Sequence, residues 1–110
     1  MRKHVEVSRR AERDLRRIGS GRDRKPLDDA LAVGLTAVPP PGNLDVKALE
    51  GRAPWLRLRV GGYRVLYRPL TREELAAVGA RRGPLGATEG YLVERVVHRR
   101  DLDRAVATLP

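Results

Sequence analysis

The sequence contains no cysteine and no apolar run that approaches the length of a membrane span. The absence of cysteine excludes disulfide bonds and thiolate metal sites. A membrane-spanning helix needs about 20 apolar residues, which no stretch supplies. The first residues, Met1-Arg2-Lys3-His4-Val5, lack the apolar segment of a signal peptide. The expected location is therefore the cytoplasm.

Lysine is also scarce, although the chain is strongly basic. Lys3, Lys25 and Lys47 are the only lysines among 23 basic residues, and 14 acidic residues leave a net charge of +9. Such an excess favours anionic partners, first nucleic acid and then an acidic protein. The length of 110 residues predicts one small domain, 1–110, with a modest core.

Two alternating runs flank Gly61-Gly62 and predict a β-hairpin. A type I′ turn requires positive φ at both central residues, and a Gly-Gly pair supplies it. With a two-residue turn, the expected opposed pairs are Val60–Tyr63, Arg59–Arg64, Leu58–Val65, Arg57–Leu66, Leu56–Tyr67 and Trp55–Arg68.

Directly opposed side chains share a face, so the hairpin has one core-like face and one basic face. The core-like face comprises Leu56, Leu58, Val60, Tyr63, Val65 and Tyr67. The basic face comprises Trp55, Arg57, Arg59, Arg64, Leu66 and Arg68. Arg59 opposite Arg64 is a like-charge pair, which destabilises a sheet unless a carboxylate or a phosphate offsets it. The alternative is a solvated outer face.

The rest of the chain supplies further strands and helices. Ser8 fits the N-cap of a first helix. That helix carries Arg9, Arg10, Arg13, Arg16 and Arg17, and we favour a solvated face over a nucleic-acid stripe for these arginines. The predicted elements are a strand at His4–Ser8, a first helix that Gly19-Ser20-Gly21 stops, a second helix from about Arg24 to Ala37, an extended segment at Asn43–Gly51, a strand at Tyr91–His98 and a last helix capped by Asp101.

This order predicts an α+β fold. A small, mostly antiparallel twisted sheet would pack against an N-terminal helical hairpin, with a short C-terminal helix. Residues 71–90 form an elaborated connection between strands. It begins with a capping box at Thr71 and Glu74, continues for one or two helical turns, and then becomes a glycine-rich, mobile stretch from Gly79 to Gly90. The apolar stripe of the second helix is expected to reach Val38.

The motifs resemble those of the RelE/ParE superfamily of type II toxins. The hairpin of residues 57–67 is preceded by Lys47-Ala48-Leu49-Glu50-Gly51 and followed by Val97-His98-Arg99-Arg100-Asp101. The resemblance covers nearly the whole chain in element order, and it implies the same small sheet with two N-terminal helices. It also implies a cognate antitoxin as a partner.

The RelE-like branch of this superfamily cuts messenger RNA on the ribosome without a metal or other cofactor. The resemblance therefore implies that a ribose 2′-OH attacks the adjacent phosphate and leaves a 2′,3′-cyclic phosphate. Arg64 matches the arginine after the family's Gly-Tyr, Arg57 a basic residue on the preceding strand, and Arg99 the C-terminal arginine. His98 is the best candidate for a general acid or base, because its unperturbed pKa lies near neutrality. The alternative is a structural histidine at the end of a strand.

The same resemblance suggests further contacts with RNA. These would come from Arg59, Arg68 and Arg100, with Trp55 stacking on a base; an exposed-face Trp55 under a loop is the alternative. The sequence departs from the family in two places. Many members carry a tyrosine where Asp103 or a neighbour stands, and another catalytic lysine of some members aligns near Trp55.

Two other functions are compatible with these residues. The ParE-like branch shares the fold and much of the hairpin, and it poisons DNA gyrase by binding protein, without RNA cleavage. A basic interaction module with no toxicity is a third possibility. The arginine set together with His98 favours an mRNA endoribonuclease.

Overall fold

The computed structural model describes residues 3–82 and 89–110. Within these residues, five strands and four α-helices follow the predicted order. The strands are β1 (His4–Val7), β2 (Asp45–Ala48), β3 (Leu56–Val60), β4 (Tyr63–Pro69) and β5 (Gly90–His98). The helices are α1 (Arg9–Ile18), α2 (Arg24–Asp29), α3 (Arg72–Arg82) and α4 (Leu102–Ala107), with a π-helical turn at Ala30–Gly34 and a 3₁₀ turn at Arg99–Asp101.

The five strands form one sheet in the order β1-β5-β4-β3-β2. β1 pairs with β5 in parallel, and the other pairs are antiparallel. The predicted α+β class and the mostly antiparallel sheet are therefore confirmed. Leu66 pairs with Arg95 while Tyr67 pairs with Val93, so Glu94 is an extra residue that forms a bulge in β5.

α1 and α2 cover one face of the sheet. The Ser8 side chain caps α1 by accepting a hydrogen bond from the Ala11 amide, as predicted. The main core consists of Ala11, Leu15, Leu27, Leu31 and Leu35 from the helical layer, packed against Leu58, Val65, Tyr67, Val93 and Val96 from the sheet. The helical hairpin packs there because its apolar side chains recur at helical spacing.

The second helix differs from its prediction at its C-terminal end. Its last turn is π-helical, because the Leu35 amide donates to the Ala30 carbonyl at 2.9 Å. Val38 is 52% exposed, so the predicted extension of the buried stripe to this residue is wrong.

The central hairpin has the predicted register, with all five pairs from Leu56–Tyr67 to Val60–Tyr63 in place. Its turn is not type I′, however. Gly61 has φ of 57°, whereas Gly62 is not among the residues with positive φ. Positive φ at the first central residue alone is the pattern of a type II′ turn, which also suits a two-residue hairpin.

α4 covers part of the other sheet face and creates a second core. Trp55, Leu66, Val97, Ala105 and Leu109 are buried together there. The face predicted as basic is thus divided between this second core and a set of arginines at the hairpin end. Within residues 3–82 and 89–110, no helix has the length and apolarity needed to span a membrane.

α3 occupies most of the elaborated connection and is longer than predicted. Its capping box is confirmed, because the Thr71 amide donates to Glu74 at 2.9 Å and the Glu74 amide donates to the Thr71 hydroxyl at 3.1 Å. Gly79 lies inside this helix and Gly90 begins β5, so the predicted glycine-rich stretch is shorter at both ends. Its remaining part, 83–88, lies outside the described residues.

Candidate functional site

Four arginines converge at the tip of the central hairpin. Arg57 and Arg59 alternate on β3, Arg64 is near the start of β4, and Arg99 follows the end of β5. Arg59 and Arg64 are direct cross-strand partners, as predicted. We call Arg57, Arg59, Arg64 and Arg99 the arginine cluster.

Arg64 is at the electrostatic centre of the arginine cluster. Its guanidinium donates to the carbonyl oxygens of Gly61 at 3.1 Å and Tyr63 at 2.9 Å, so the turn itself fixes its direction. Burial lowers the pKa of Arg64, and the nearby cations of Arg59, Arg57 and Arg99 lower it further. The site therefore concentrates positive charge, and an anion at this position would relieve the repulsion.

Among residues 3–82 and 89–110, one carboxylate adjoins the arginine cluster. Asp45 on the edge strand β2 is the cross-strand partner of Arg59, and its Oδ1 lies 3.5 Å from a guanidinium nitrogen of Arg57. Its negative charge also raises the pKa of Arg64, opposing the effect of the neighbouring cations. A single carboxylate leaves most of the charge of four guanidinium groups uncompensated.

His98 lies beside the arginine cluster, and one backbone hydrogen bond holds its ring. Its Nδ1 accepts a hydrogen bond from the Arg100 amide at 3.2 Å, which caps the 3₁₀ turn. The preceding amide, of Arg99, donates to the Gly62 carbonyl at 2.8 Å and ties the end of β5 to the hairpin turn. Tyr63 packs edge-on against the His98 ring, with the centroids 5.5 Å apart.

These contacts define what the His98 ring can do. An Nδ1 that accepts an amide proton requires the neutral tautomer with hydrogen on Nε2. Nε2 points towards the turn, 3.4 Å from where a Cβ on Gly62 would lie. His98 can therefore donate from Nε2 while Nδ1 maintains the 3₁₀ turn, so the two functions considered from the sequence are compatible.

Trp55 and Arg68 are placed away from the arginine cluster. Trp55 is only 5% exposed in the second core, and Arg68 lies over its ring at 5.6 Å from the centroid. Arg68 also makes two hydrogen bonds to the Glu74 carboxylate, at 2.7 and 2.8 Å. We therefore assign Arg68 to the anchoring of α3 and Trp55 to the second core, and we propose no contact with RNA for either residue.

The remaining site residues are exposed and available. Among residues 3–82 and 89–110, no side-chain hydrogen bond or ion pair engages Arg59, Arg99 or Arg100. Arg100 follows Arg99 on the 3₁₀ turn, so the structure brings Arg57, Arg59, Arg64, His98, Arg99 and Arg100 to one end of the sheet. In the same part of the chain, no three histidine or acidic side chains are grouped so that they could hold a metal ion.

The sequence interpretation did not single out Asp45. Asp45 lies in the extended segment before the hairpin, and antiparallel pairing of this segment with β3 places it opposite Arg59. The pairing register could not be predicted, because the sequence does not show where this four-residue edge strand begins.

Comparison with known proteins agrees with this architecture. The family described as "ParE toxin of type II toxin-antitoxin system, parDE" matches residues 5–84, well over half of the chain. No curated protein shows a significant sequence match.

Two solved structures share the fold. One is a RelB-RelE antitoxin-toxin complex from Methanococcus jannaschii, at a TM-score of 0.55 and 18% identity, covering 92% of this chain and 98% of the other. The second is an archaeal RelE-RelB complex from Pyrococcus horikoshii OT3, at a TM-score of 0.59 and 17% identity, covering 90% and 97%. At this identity the likeness shows the fold alone. The family match over residues 5–84 identifies the chain as a member of the ParE toxin family of type II toxin-antitoxin systems, within the RelE/ParE superfamily.

Proposed function

We propose that this toxin is a metal-independent endoribonuclease that cuts messenger RNA on the ribosome. The observation that carries the proposal is the arginine cluster, in which Arg64 is fixed by the turn and faces three further cations with one opposing carboxylate. A cleavage that leaves a 2′,3′-cyclic phosphate passes through a phosphorane-like state with extra negative charge. Preorganised cations aimed at such charge are usually the largest contribution to catalysis.

In this proposal, different arginines bind different phosphates of the RNA. Arg57, Arg64 and Arg99 hold the scissile phosphate, while Arg59 and Arg100 bind neighbouring phosphates. A bound phosphate would attract the guanidinium groups and offset part of their mutual repulsion. The same guanidinium groups would therefore bind the substrate and stabilise the transition state.

His98 is proposed to donate a hydrogen bond from Nε2 to the leaving 5′-oxygen as the P–O2′ bond forms and the P–O5′ bond breaks. The proton of the attacking 2′-OH passes to solvent water, and solvent water protonates the released 5′-oxygen. Because Nδ1 accepts from the Arg100 amide, the Nε2–H donor is directed without further side chains. A neutral imidazole can polarise an oxygen in this way. His98→Asn keeps an acceptor near the Nδ1 position and removes the Nε2 donor, whereas His98→Gln keeps a distal donor and removes the capping acceptor. We expect His98→Asn to lose cleavage activity and to keep the melting temperature of the wild-type chain.

A cognate antitoxin is the proposed protein partner, and the cytoplasm is the proposed site of action. The two structural neighbours described above are toxin-antitoxin complexes. The net charge of +9 and the exposed arginines make an acidic segment a suitable inhibitor of this site. Co-expression with the protein encoded by the neighbouring reading frame should yield a complex that protects cells, and a chain that purifies only in free form would contradict this partner.

Expression in growing cells tests the proposed reaction. Induction of the wild-type chain should stop growth and produce new messenger RNA 5′ ends within codons, detected by primer extension. Arg64→Ala should abolish both effects, because removing one preorganised donor costs about 10²–10³ in rate. Arg13→Ala, on the exposed face of α1, is the matched control.

DNA gyrase poisoning is the second candidate, because the matching family is described by the ParE name. It requires protein binding and no phosphate chemistry. Growth arrest with intact messenger RNA and gyrase-dependent DNA breaks would replace the first proposal by this one.

A further inference from the structure

A second basic site adjoins the arginine cluster, between α1 and α4. It is an open groove of about 590 Å³ at the end of β5. Its lining includes Arg17, Tyr63, Arg95, His98, Arg100 and Arg104. The groove arises because α4 packs on one sheet face and α1 on the other, so that the end of β5 is left open between them.

Two of the arginines in this groove are paired with carboxylates, and two are not. Arg95 and Arg104 are paired, with Asp14 at 2.8 Å and with Asp101 at 2.7 Å. Arg17 and Arg100 are exposed, and neither has a side-chain partner among the described residues. Four guanidinium groups against two carboxylates leave a net charge of +2 in the lining, carried by the two unpaired arginines.

His98 connects the groove to the arginine cluster. Its ring lines the groove, while its Nε2 lies near the Gly62 turn that positions Arg64. Arg99 and Arg100 follow one another on the 3₁₀ turn, with Arg99 acting on Arg64 and Arg100 lining the groove. A nucleic-acid strand with one phosphate at the arginine cluster can therefore continue past His98 into the groove.

We propose that this groove is a subsite for the RNA strand next to the scissile phosphate, with Arg17 and Arg100 binding its phosphates. The inference rests on the proposed RNA substrate and extends it to residues of α1. The half-buried carboxylate of Asp101 favours RNA over an acidic peptide, because it can accept a hydrogen bond from the amino group of a base, which an acidic side chain does not offer. Tyr63 at the groove wall offers an aromatic surface to a base.

Direct binding of a labelled single-stranded RNA of about ten nucleotides to the full-length chain tests this subsite. Affinity is measured by fluorescence anisotropy over a range of salt concentrations. Each phosphate contact contributes about 0.7 to the slope of log K against log salt for single strands. Arg17→Gln should lower the slope by about this amount, and the double variant with Arg100→Gln by about twice as much. Arg16→Gln is the matched control, since it removes the same charge from the next, exposed position of α1 outside the groove.

The outcomes separate this inference from the proposed reaction. A slope unchanged by Arg17→Gln, or lowered equally by Arg16→Gln, would overturn the subsite even if messenger RNA is cut in cells. Weakened antitoxin binding with unchanged RNA binding in Arg17→Gln would assign the groove to an acidic protein segment instead, which also overturns it. The expected loss of slope would support the subsite even if the expressed chain cuts no messenger RNA, so the two can fail independently.

Discussion

Arg59 and Arg64 face each other directly across the β3–β4 hairpin, with like charges on paired positions. Asp45 reaches the same place from the other side of β3 and is the cross-strand partner of Arg59. A sheet gains nothing from a repulsive pair, which is destabilising in isolation. We interpret this arrangement as a site for an anion. The like-charge pair lowers the stability of the free protein, and a bound anion would restore it.

Asp45 should therefore act as an internal competitor for phosphate. We expect Asp45→Asn to bind inorganic phosphate and RNA more tightly than the wild-type chain, because the arginine cluster loses its only adjoining carboxylate among the described residues. The variant should also melt at a lower temperature in the absence of anions. The increase of the melting temperature with phosphate measures the effect. Asp103→Asn is a control of equal charge change at an exposed position on α4, and an equal response in both variants would refute the competitor role.

The contact between Arg68 and Glu74 should make the anchoring of α3 sensitive to acid. Hydrogen bonds from Arg68 and from the Thr71 amide lower the pKa of Glu74 from its ordinary value of 4.5 to about 2. The resulting stabilisation is fully present above pH 4.5 and is lost as the pH falls towards 2. Since the Glu74 side chain is 36% exposed, we expect a contribution of about 1 kcal/mol.

Glu74→Gln should therefore lower the melting temperature at pH 7 by about 4–8 °C. The difference from the wild-type chain should shrink in melts recorded from pH 4.5 down to pH 2. Glu73→Gln is the matched control, because Glu73 is exposed on the same helical turn. A difference that stays constant over this pH range would show that the ion pair does not anchor α3.

Asp14 should be among the most important polar residues for stability. Asp14 is 6% exposed, and its carboxylate accepts from Arg95 Nε at 2.8 Å and from the Val96 amide at 2.9 Å, next to the bulge of β5. Asp14→Ala leaves a half-buried guanidinium and an amide without partners, so we expect a loss of about 3 kcal/mol in the free energy of unfolding. Urea denaturation measures it. Glu12→Ala on the exposed side of the same helix should change the stability little, and equal losses would contradict this role.

Trp55 should contribute to stability and not to RNA affinity. It is buried in the second core, so Trp55→Ala should cost about 3–5 kcal/mol, while Trp55→Phe should be milder. Because Trp55 is the only tryptophan, its fluorescence reports on this core directly. Quenching by bound RNA, or weaker RNA binding in a stably folded Trp55→Phe, would restore the stacking function expected from the sequence.

The hairpin shows what the sequence could predict. The alternation on either side of Gly61-Gly62 determines which side chains share a face, and a shift of one residue would have exposed Leu58 and Val65. The same alternation could not show that α4 covers Trp55 and Leu66, because contacts between distant elements leave no local pattern.

The candidate site was only partly predictable for the same reason. The arginines of the cluster lie on adjacent strands of one motif, so the register alone brings three of them together. By contrast, the ion pairs of Arg68 and Arg95 form with α3 and α1, six and 81 residues away in sequence. The sequence shows that these side chains are charged, and only the fold shows which of them are already engaged.

Cleavage of a defined messenger RNA on purified ribosomes is the most direct test of the arginine cluster. An end-labelled message, with a known codon in the ribosomal A site, is incubated with the purified chain and a metal chelator. We expect the wild-type chain and Arg13→Ala to yield one upstream fragment ending in a 2′,3′-cyclic phosphate, and Arg64→Ala to be slower by about 10²–10³. An intact message with the wild-type chain, or full cleavage by Arg64→Ala, would contradict the account.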